Sequence, residues 1–597
     1  MINQRLEALR YLMREKRIAI YLVPTADFHE SEYVGEYFKA REFMTGFTGS
    51  AGTAVITLEE AGLWTDARYF VQAAKQLEGS SISLYRMGEE GVPTILSYIK
   101  ENLKEGENIG FDGRVINASL GRELEKIAKD KNGKILSDED LVGQIWSDRP
   151  GLPEGKAWIL EEKYSGESIK SKLSRVRREM EKKKADCHLL TSLYDIAWLL
   201  NLRGDDVNYV PVVLSYLAIE KDRCMWFVRE SVLTGKVREY LEINSIEVRA
   251  YEDFYDYVAQ IKESDMVLLD LEKVNDRIWR LLPNKRHLID EMNPTEKMKA
   301  IKNPTEVGNI RNAHIKDAVA MCKFMYWLKT NVGKIPMTEI SVSDYLESLR
   351  AEQDGYVELS FDTICGYAEH GAIVHYAATE QTDIPLKAKG LLLVDSGGHY
   401  LEGTTDITRT FALGEVSEEM KDDFTRVCRS NLNLSSVVFL YGCSGRNLDI
   451  VARTPLWEVN KDYKHGTGHG VGYLLNVHEG PNGFRWQKSS GKVQEVPLEE
   501  GMITTDEPGI YIEGKYGIRI ENELLCRKGT KNEYGQFMYF EPITYVPIDR
   551  DALDPKQMSA EEIKCLNAYH EKVYEVVSPY LSGEELDFLR TYTSPLE

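Results

Sequence analysis

The chain has 597 residues, of which 43% are hydrophobic and 28% are charged. That length exceeds one ordinary hydrophobic core and predicts about three domains, and the composition is typical of a soluble globular protein. The formal net charge of −22 argues against basic patches for nucleic acid or an anionic membrane, so neither is an expected partner.

The N-terminal segment MINQRLEALRYLMREKR is charged and helical from its start, unlike the apolar core of a secretory signal. No apolar stretch reaches the roughly 18 residues that a membrane span requires. The eight cysteines are scattered without CxxC pairs. We therefore expect reduced thiols and a cytoplasmic location.

The first 300 residues contain an internal repeat. A helical pattern followed by a strand-like run occurs at the N-terminus and returns about 167 residues later. The repeated positions are Leu6, Leu9, Arg10, Met13 and Lys16, matched by Leu173, Val176, Arg177, Met180 and Lys183. Such self-similarity predicts two related α/β units in tandem, residues 1–150 and 151–300, with a Pro- and Gly-containing linker near 148–170.

A third domain, residues 301–597, is predicted to begin at a helix start. Asn303 is a candidate N-cap, followed by Pro304 at the first helical position and by Glu306 in the first turn. Helices are expected at 310–330 and 418–440, and short β-rich runs from about 385 onward. Ser559 and Glu562 predict a capping box for a final helix.

The segment LLLVDSGGHYLEGTTDITRTFALG predicts a β-hairpin. Its apolar run leads into Asp395, and a glycine-rich turn leads back through Asp406. A hairpin here would bring two carboxylates close together. Considered alone, the pattern is also a common way to end a strand, so a plain turn is the alternative.

Three histidines fall within 14 residues of KHGTGHGVGYLLNVHEGP, although the whole chain has 11. They are His465, His469 and His478. The glycines lack the GxGxxG register and the lysine of a phosphate loop, which argues against a nucleotide site. Clustered imidazoles favour a metal or catalytic site over a structural role.

The segment TTDEPGIYIEGKYGIRIENELL contributes two glutamates. Glu507 precedes a Pro-Gly turn, and Glu521 lies in the alternating run GIRIENELL. As one strand, this run packs its isoleucines into the core and places Arg519, Glu521 and Glu523 on the other face. A solvated charged face is the alternative for Glu521.

In combination, these residues make an oxygen-rich set of four carboxylates and one imidazole, Asp395, Asp406, His469, Glu507 and Glu521. Such a set suits two divalent cations about 3.5 to 4 Å apart, with Mn, Mg or Co favoured over structural zinc. A bridging water would be acidified toward hydroxide, the nucleophile of amide hydrolysis.

In this order, the five residues resemble the pita-bread metallopeptidases (peptidase family M24), the family of methionine aminopeptidase, prolidase and aminopeptidase P. The motifs are HGTGHGVG, DEPG and RIENE, with Asp406 eleven residues after Asp395. The segments YLVPTADFHESEYVGEYFKAREFMTGFTGSAGTAVIT, LWTDARYF, ELSFDTICGYAEHGAIVHYAA and FEPITYVPID are similar to its three-domain cytosolic X-Pro aminopeptidases. The resemblance implies a mixed α/β (α+β) fold, with two creatinase-N-like domains before a pita-bread domain.

The resemblance also implies a function, hydrolysis of the N-terminal X-Pro bond of peptides by a hydroxide between two divalent metals. Mn(II) is the expected metal, with Co(II) or Zn(II) as alternatives. Asp406 and Glu521 would bridge both ions, Asp395 would bind one, and His469 with Glu507 would bind the other. Glu507 would also shuttle a proton.

The implied substrate-binding residues are Arg41, His375, His465, His478 and Arg519. Of these, His465 and His478 would also take part in catalysis, His478 by stabilising the oxyanion. The family further implies a homodimer. A prolidase that cleaves only X-Pro dipeptides is the main alternative, and a non-catalytic peptide-binding module of the same fold is a weaker one.

Overall fold

The structure is a computed structural model that describes residues 1–487 and 495–597. It confirms the mixed α/β class predicted from the sequence. The chain forms two compact units, the first comprising Met1–Glu162 with Glu167–Thr295 and the second Lys163–Gly166 with Glu296–Glu597. Among the helices of the described ranges, none has the length and apolarity needed to cross a membrane.

The N-terminal half of the first unit is a sheet flanked by helices. Its helices are α1 (Ile2–Lys16), α2 (Ala40–Thr45), α3 (Phe70–Gln76), α4 (Ile95–Asn102), α5 (Ala118–Asp130) and α6 (Leu141–Ile145). Its strands are β1 (Ile18–Pro24), β2 (Thr53–Thr57), β3 (Ala61–Thr65), β4 (Ile82–Arg86), β5 (Asn108–Gly110) and β6 (Ile135–Leu136). They form one six-stranded sheet in the order β4-β3-β2-β1-β5-β6.

The following segment is built in a similar way. Its helices are α7 (Glu162–Ser165), α8 (Ile169–Lys183), α9 (Leu193–Leu200), α10 (Gly235–Ile243), α11 (Asp253–Ala259), α12 (Asp276–Leu281) and α13 (Pro294–Ala300). Its strands are β7 (Trp158–Ile159), β8 (Cys187–Leu190), β9 (Leu202–Arg203), β10 (Ser215–Glu220), β11 (Cys224–Val228), β12 (Glu247–Arg249), β13 (Val267–Leu269) and β14 (Leu288–Asp290). The main sheet has the order β12-β11-β10-β8-β13-β14.

The two sheets share one topology, which confirms the predicted internal repeat. In each, the three central antiparallel strands are flanked by parallel pairs at both edges. The matched arginines of α1 and α8 make matched contacts, because Arg10 Nε donates to the Thr57 carbonyl at 3.0 Å and Arg177 Nε to the Glu220 carbonyl at 3.1 Å. The domain boundaries at residues 150 and 300 stay predictions.

The second unit has a larger set of elements. Its helices are α14 (Pro304–Asn331), α15 (Glu339–Ala351), α16 (Glu418–Ser435), α17 (Gly445–Trp457), α18 (Ala560–Val577) and α19 (Gly583–Tyr592). Its strands are β15 (Tyr356–Leu359), β16 (Ile364–Tyr367), β17 (Leu391–Ser396), β18 (Gly398–Tyr400), β19 (Gly403–Thr404), β20 (Ile407–Ala412), β21 (Val438–Leu440), β22 (Gly468–Gly470), β23 (Glu479–Phe484), β24 (Ile503–Asp506), β25 (Gly509–Ile512), β26 (Tyr516–Arg519), β27 (Asn522–Asn532) and β28 (Gly535–Pro542).

The helix starts of this unit follow the local signals in the sequence. The N-cap predicted at Asn303 and the capping box predicted at Ser559 are confirmed and begin α14 and α18, and Glu306 completes a capping box at the first as well. One prediction was wrong, because the helix expected to reach residue 440 ends at Ser435. The residues Val438–Leu440 instead pair with β28, as β-branched and aromatic side chains favour a strand.

Three sheets of the second unit meet around its core. Their orders are β15-β18-β19, β16-β17-β20 and β21-β28-β27-β24-β22-β23. One face of the central strands packs against helices in an apolar cluster that includes Leu328, Val394, Phe411 and Val573. Polar side chains lie at or next to the ends of β17, β20, β22, β24 and β27.

Helix α18 contains a buried histidine, His570, that predicts a pH dependence of stability. His570 Nε2 accepts the backbone N–H of Ile548 at 3.1 Å. Burial, together with nearby Arg550 and Arg409, lowers the pKa of His570 from 6.5 to about 3. As the pH falls, the unfolded chain therefore becomes protonated at His570 before the folded chain does. The stabilisation from His570 is complete above pH 6.5 and is lost as the pH falls from 6.5 toward 3.

We expect His570→Gln, which keeps an acceptor for Ile548, to flatten the acid dependence of the free energy of unfolding. The slope of the free energy of unfolding against pH should fall by up to about 1.4 kcal/mol per pH unit within the pH range over which His570 titrates. Urea unfolding at a series of pH values measures it. An unchanged slope would show that His570 is not held neutral by burial.

Candidate functional site

The predicted hairpin is confirmed and carries the first two carboxylates. β17 pairs antiparallel with β20, and Asp395 lies opposite Thr408. Between them β18 and β19 form a smaller antiparallel pair, which the sequence did not predict. Asp406 directly precedes β20, and its backbone N–H donates to Glu523 Oε1 at 2.8 Å. The connection thus holds both aspartates at one end of the sheet.

Glu507 and Glu521 lie between strands, at the position where the pairing of neighbouring strands changes. β24 pairs with β27, whereas the next strands, β25 and β26, form a separate two-stranded sheet among the described strands. Pro508 lies at the change, and since it has no N–H it cannot continue the ladder. The two glutamates occupy this gap, and the N–H of Glu521 donates to the Thr408 carbonyl at 3.0 Å instead.

The run GIRIENELL differs from the predicted single strand, and the alternative of a solvated charged face is also wrong. It is not one strand, because β26 ends at Arg519 and β27 begins at Asn522. Its charged face is not solvated either, since Arg519, Glu521 and Glu523 are all buried. Of the three, only Glu521 lies in the break, outside both strands, where one of its oxygens comes near Asp406 and His469.

His469 of β22 points at the carboxylates. Its Nδ1–H donates to the Gly470 carbonyl at 2.9 Å, so the Nε2 lone pair is directed the other way. That Nε2 lies 3.5 Å from Asp406 Oδ2 and 3.4 Å from Glu507 Oε1. One atom each from Asp406, His469 and Glu521 fall within 4.8 Å of one another.

Burial and mutual repulsion raise the pKa values of these carboxyls. Burial and then the neighbouring Asp395 raise the pKa of Asp406 well above its ordinary value, and burial and then Asp406 do the same for Glu521. Burial raises the pKa of Glu507 to about 7, against the opposing charge of Arg519. Bound cations would reverse these shifts, because they favour the ionised carboxylates.

Arg519 links the carboxylates to a second histidine. Its Nη2 donates to Asp395 Oδ2 at 2.5 Å and its Nη1 to the Tyr511 hydroxyl at 2.7 Å. That hydroxyl lies 2.8 Å from His465 Nε2, and the Nδ1–H of His465 donates to the Gly466 carbonyl at 2.7 Å. Tyr511 therefore donates to Nε2 and fixes the tautomer of His465. No motif pointed to Tyr511 in the sequence.

Two further predicted residues lie beside this cluster. The ring of His478 packs edge-on against that of His469, with 4.3 Å between centroids, and its charge acts on Glu507. His375 follows a 3-10 turn, Ala368–Ala372, and the carbonyl of its neighbour Val374 accepts from Arg519 Nη2 at 3.4 Å.

Arg41 belongs to the first compact unit. Its guanidinium donates to the carbonyls of Phe47 and Gly49, and its Nε donates to Thr25 Oγ1 at 3.0 Å. These bonds fix the turn after α2. Contact between Arg41 and substrate stays a prediction.

The donor set fits divalent cations. Asp395 Oδ1 is a buried oxygen for which the described residues provide no hydrogen-bond partner, a costly state unless a cation binds it. Carboxylate oxygens with one imidazole suit hard or borderline ions such as Mn(II) and Mg(II). The clustered ligand atoms and this orphaned oxygen together indicate a metal site.

Comparison with known proteins agrees with this geometry. Residues 5–140 and 148–306 each match the Creatinase/Prolidase N-terminal domain, residues 308–528 match Metallopeptidase family M24, and residues 536–596 match the C-terminal region of peptidase_M24. The chain is 37% identical to Xaa-Pro aminopeptidase 1 of Dictyostelium discoideum, over 100% of this chain and 97% of the relative. It is also 37% identical to Aminopeptidase P2 of Arabidopsis thaliana, over 100% and 89%.

A solved structure is similar along the whole chain. It is an X-prolyl aminopeptidase from Caenorhabditis elegans, described as a cytosolic enzyme with a di-nuclear active site. The TM-score is 0.96 at 33% sequence identity, and 100% of both chains is covered.

The carboxylate cluster predicts opposite effects of one substitution with and without metal. Glu521→Gln removes one repelling charge, so in EDTA the variant should melt above the wild type. Mn(II) should stabilise the wild type, by about 2.7 kcal/mol at a hundredfold excess over Kd, and the variant much less. Calorimetry in EDTA and in Mn(II) measures both effects.

The matched control is Asp549→Asn, which alters a buried carboxylate paired with Lys329 at 2.6 Å. This control should keep the Mn(II) response of the wild type. A wild-type melting temperature that does not respond to Mn(II), Co(II) or Zn(II) would contradict a metal site.

Proposed function

Because the chain belongs to metallopeptidase family M24, we propose that it is a metal-dependent aminopeptidase that hydrolyses the N-terminal X-Pro bond of peptides. The observation that carries the proposal is the cluster of the buried Asp406 and Glu521 with the half-buried His469, whose ligand atoms lie within 4.8 Å of one another. The Xaa-Pro aminopeptidases that match the chain end to end support the choice of reaction.

The proposed ligands divide into a shared pair and two outer sets. Asp406 and Glu521 would hold both cations, Asp395 would hold one, and His469 with Glu507 would hold the other. When bound, the cations supply Lewis acidity and acidify a water for attack on the scissile carbonyl. Two divalent ions are balanced by the charges of the four carboxylates.

Glu507 is proposed as the proton carrier of the reaction. Its Oε1 lies 3.4 Å from His469 Nε2 at the proposed metal site, where a carboxylate can accept a proton from water and return it. It takes a proton from the attacking water and passes one to the proline nitrogen as the C–N bond breaks. His469 and Thr505, which lie beside this carboxyl, keep it in place.

His478 is proposed to stabilise the oxyanion. Its ring is half-buried against His469, so an N–H donor there acts in a site from which much of the water is excluded. His465 is held by Tyr511 at 2.8 Å, and His465, His375, Arg519 and Arg41 are proposed to line the peptide site. Since an X-Pro bond has no N–H, the site needs no acceptor for that group.

Three finer features are also proposed. Mn(II) is the expected metal because carboxylates dominate the ligand set, with Co(II) or Zn(II) as alternatives. A cytoplasmic location is supported by the similar enzyme that is described as cytosolic and by eight free thiols. A homodimer is proposed from the family resemblance.

A peptide panel distinguishes an aminopeptidase from a prolidase. With Mn(II), we expect an X-Pro-Pro tripeptide to be cleaved with a kcat/KM at least about tenfold above that for an X-Pro dipeptide or an X-Ala-Ala tripeptide, equivalent to ~1.4 kcal/mol of transition-state binding. Asp406→Asn serves as the inactive control. Activity confined to dipeptides would replace the proposal with a prolidase.

The two neighbouring histidines should separate metal binding from turnover. We expect His478→Ala to lower kcat by roughly 10²- to 10³-fold with metal content retained. His469→Ala should lower metal affinity as well as kcat, because it removes a ligand. Elemental analysis beside steady-state kinetics measures both. Loss of metal from the His478 variant would contradict this division of roles.

A further inference from the structure

A buried carboxylate, Glu339, holds the segment of residues 367–376 that contains His375, the His375 segment. Glu339 is the first residue of α15 and is fully buried. Its Oε1 accepts the backbone N–H of Tyr367 at 2.8 Å, and its Oε2 accepts the hydroxyl of Tyr376 at 2.8 Å. His370 Nδ1 lies 3.0 Å from each oxygen. All three donors come from residues 367–376.

The opposite side of this segment meets the strand that carries Arg519. The Val374 carbonyl accepts from Arg519 Nη2 at 3.4 Å. Gly371 lies backbone to backbone against Gly517 of β26, so closely that a Cβ at Gly517 would lie 1.7 Å from the Gly371 carbonyl oxygen. Residues 367–376 are thus held between Glu339 and the edge of the proposed active site.

The chemistry of the contact requires a carboxylate. Three donors converge on Glu339, and an ionised carboxylate offers acceptors on both oxygens. An amide would turn its NH2 group toward one of those donors and leave it unsatisfied. Its position in the first turn of α15 also favours a negative charge. The donors to this buried carboxylate therefore come from the His375 segment.

We propose that Glu339 is a positioning residue that fixes the His375 segment beside the carboxylate cluster and thereby sets the affinity for peptide substrate. The inference rests on the proposed function, because substrate contact by His375 is part of it. Within the described ranges, the hydrogen bonds of the Glu339 side chain reach Tyr367, His370 and Tyr376 and none of the proposed metal ligands. Its effect should appear in KM before it appears in kcat.

Glu339→Gln tests the proposal with two independent readouts. We expect KM for an X-Pro-Pro tripeptide to rise by about tenfold, with kcat within about threefold of the wild type and metal content unchanged. In hydrogen exchange, the amides of residues 370–376 should exchange about tenfold faster. Asp549→Asn is the control, since it also neutralises a buried carboxylate of this unit but should change neither readout.

Tyr376→Phe removes the hydrogen bond from the Tyr376 hydroxyl to Glu339 without altering a charge. This variant tests the positioning role of Glu339 if Glu339→Gln does not fold. It should raise KM in the same direction, and its effect should be less than additive with that of Glu339→Gln. An unchanged KM and exchange rate in these variants, or an equal KM rise in Asp549→Asn, would overturn the proposal. A wild type without peptidase activity would count against the proposed function alone, because the exchange rates report the Glu339 contact independently.

Discussion

Four clustered carboxylates, of which three are buried and Glu507 is half-buried, are the constraint on which the second unit depends. Without cations, burial and mutual repulsion oppose the ionisation of Asp406, Glu507 and Glu521 and raise the pKa of each. Arg519 offsets part of this cost through its 2.5 Å contact with Asp395. The sequence thus keeps an arrangement that weakens the metal-free fold, as expected where a binding site competes with stability.

The surrounding backbone holds this cluster in place through buried donors. The guanidinium of Arg409 donates to the carbonyls of Glu521 at 2.6 Å, Val546 at 2.8 Å and Pro547 at 3.1 Å. It therefore ties a proposed metal ligand to the C-terminal segment of the unit. In the same way, the Tyr511 hydroxyl holds His465 at 2.8 Å, and Glu339 holds the segment that carries His375 through Tyr367, His370 and Tyr376.

Local signals in the sequence predicted much of this fold. The capping boxes at Asn303 and Ser559 and the hairpin of Asp395 depend on residues a few positions apart, and the internal repeat is visible in the side-chain pattern. The break after Arg519 was not predictable in this way, because it depends on which distant strands pair. Glu339 and Tyr367 are 28 residues apart, and no local motif joins them. The ligand roles and substrate contacts, which came from family resemblance, stay proposals.

The central claim is that two cations lie between these five side chains, and anomalous X-ray scattering from crystals grown with Mn(II) tests it most directly. Two peaks are expected, about 3.5 to 4 Å apart, with carboxylate oxygens of Asp406 and Glu521 between them and His469 Nε2 beside one. A single peak, or peaks away from Asp406 and Glu521, would contradict a two-metal site.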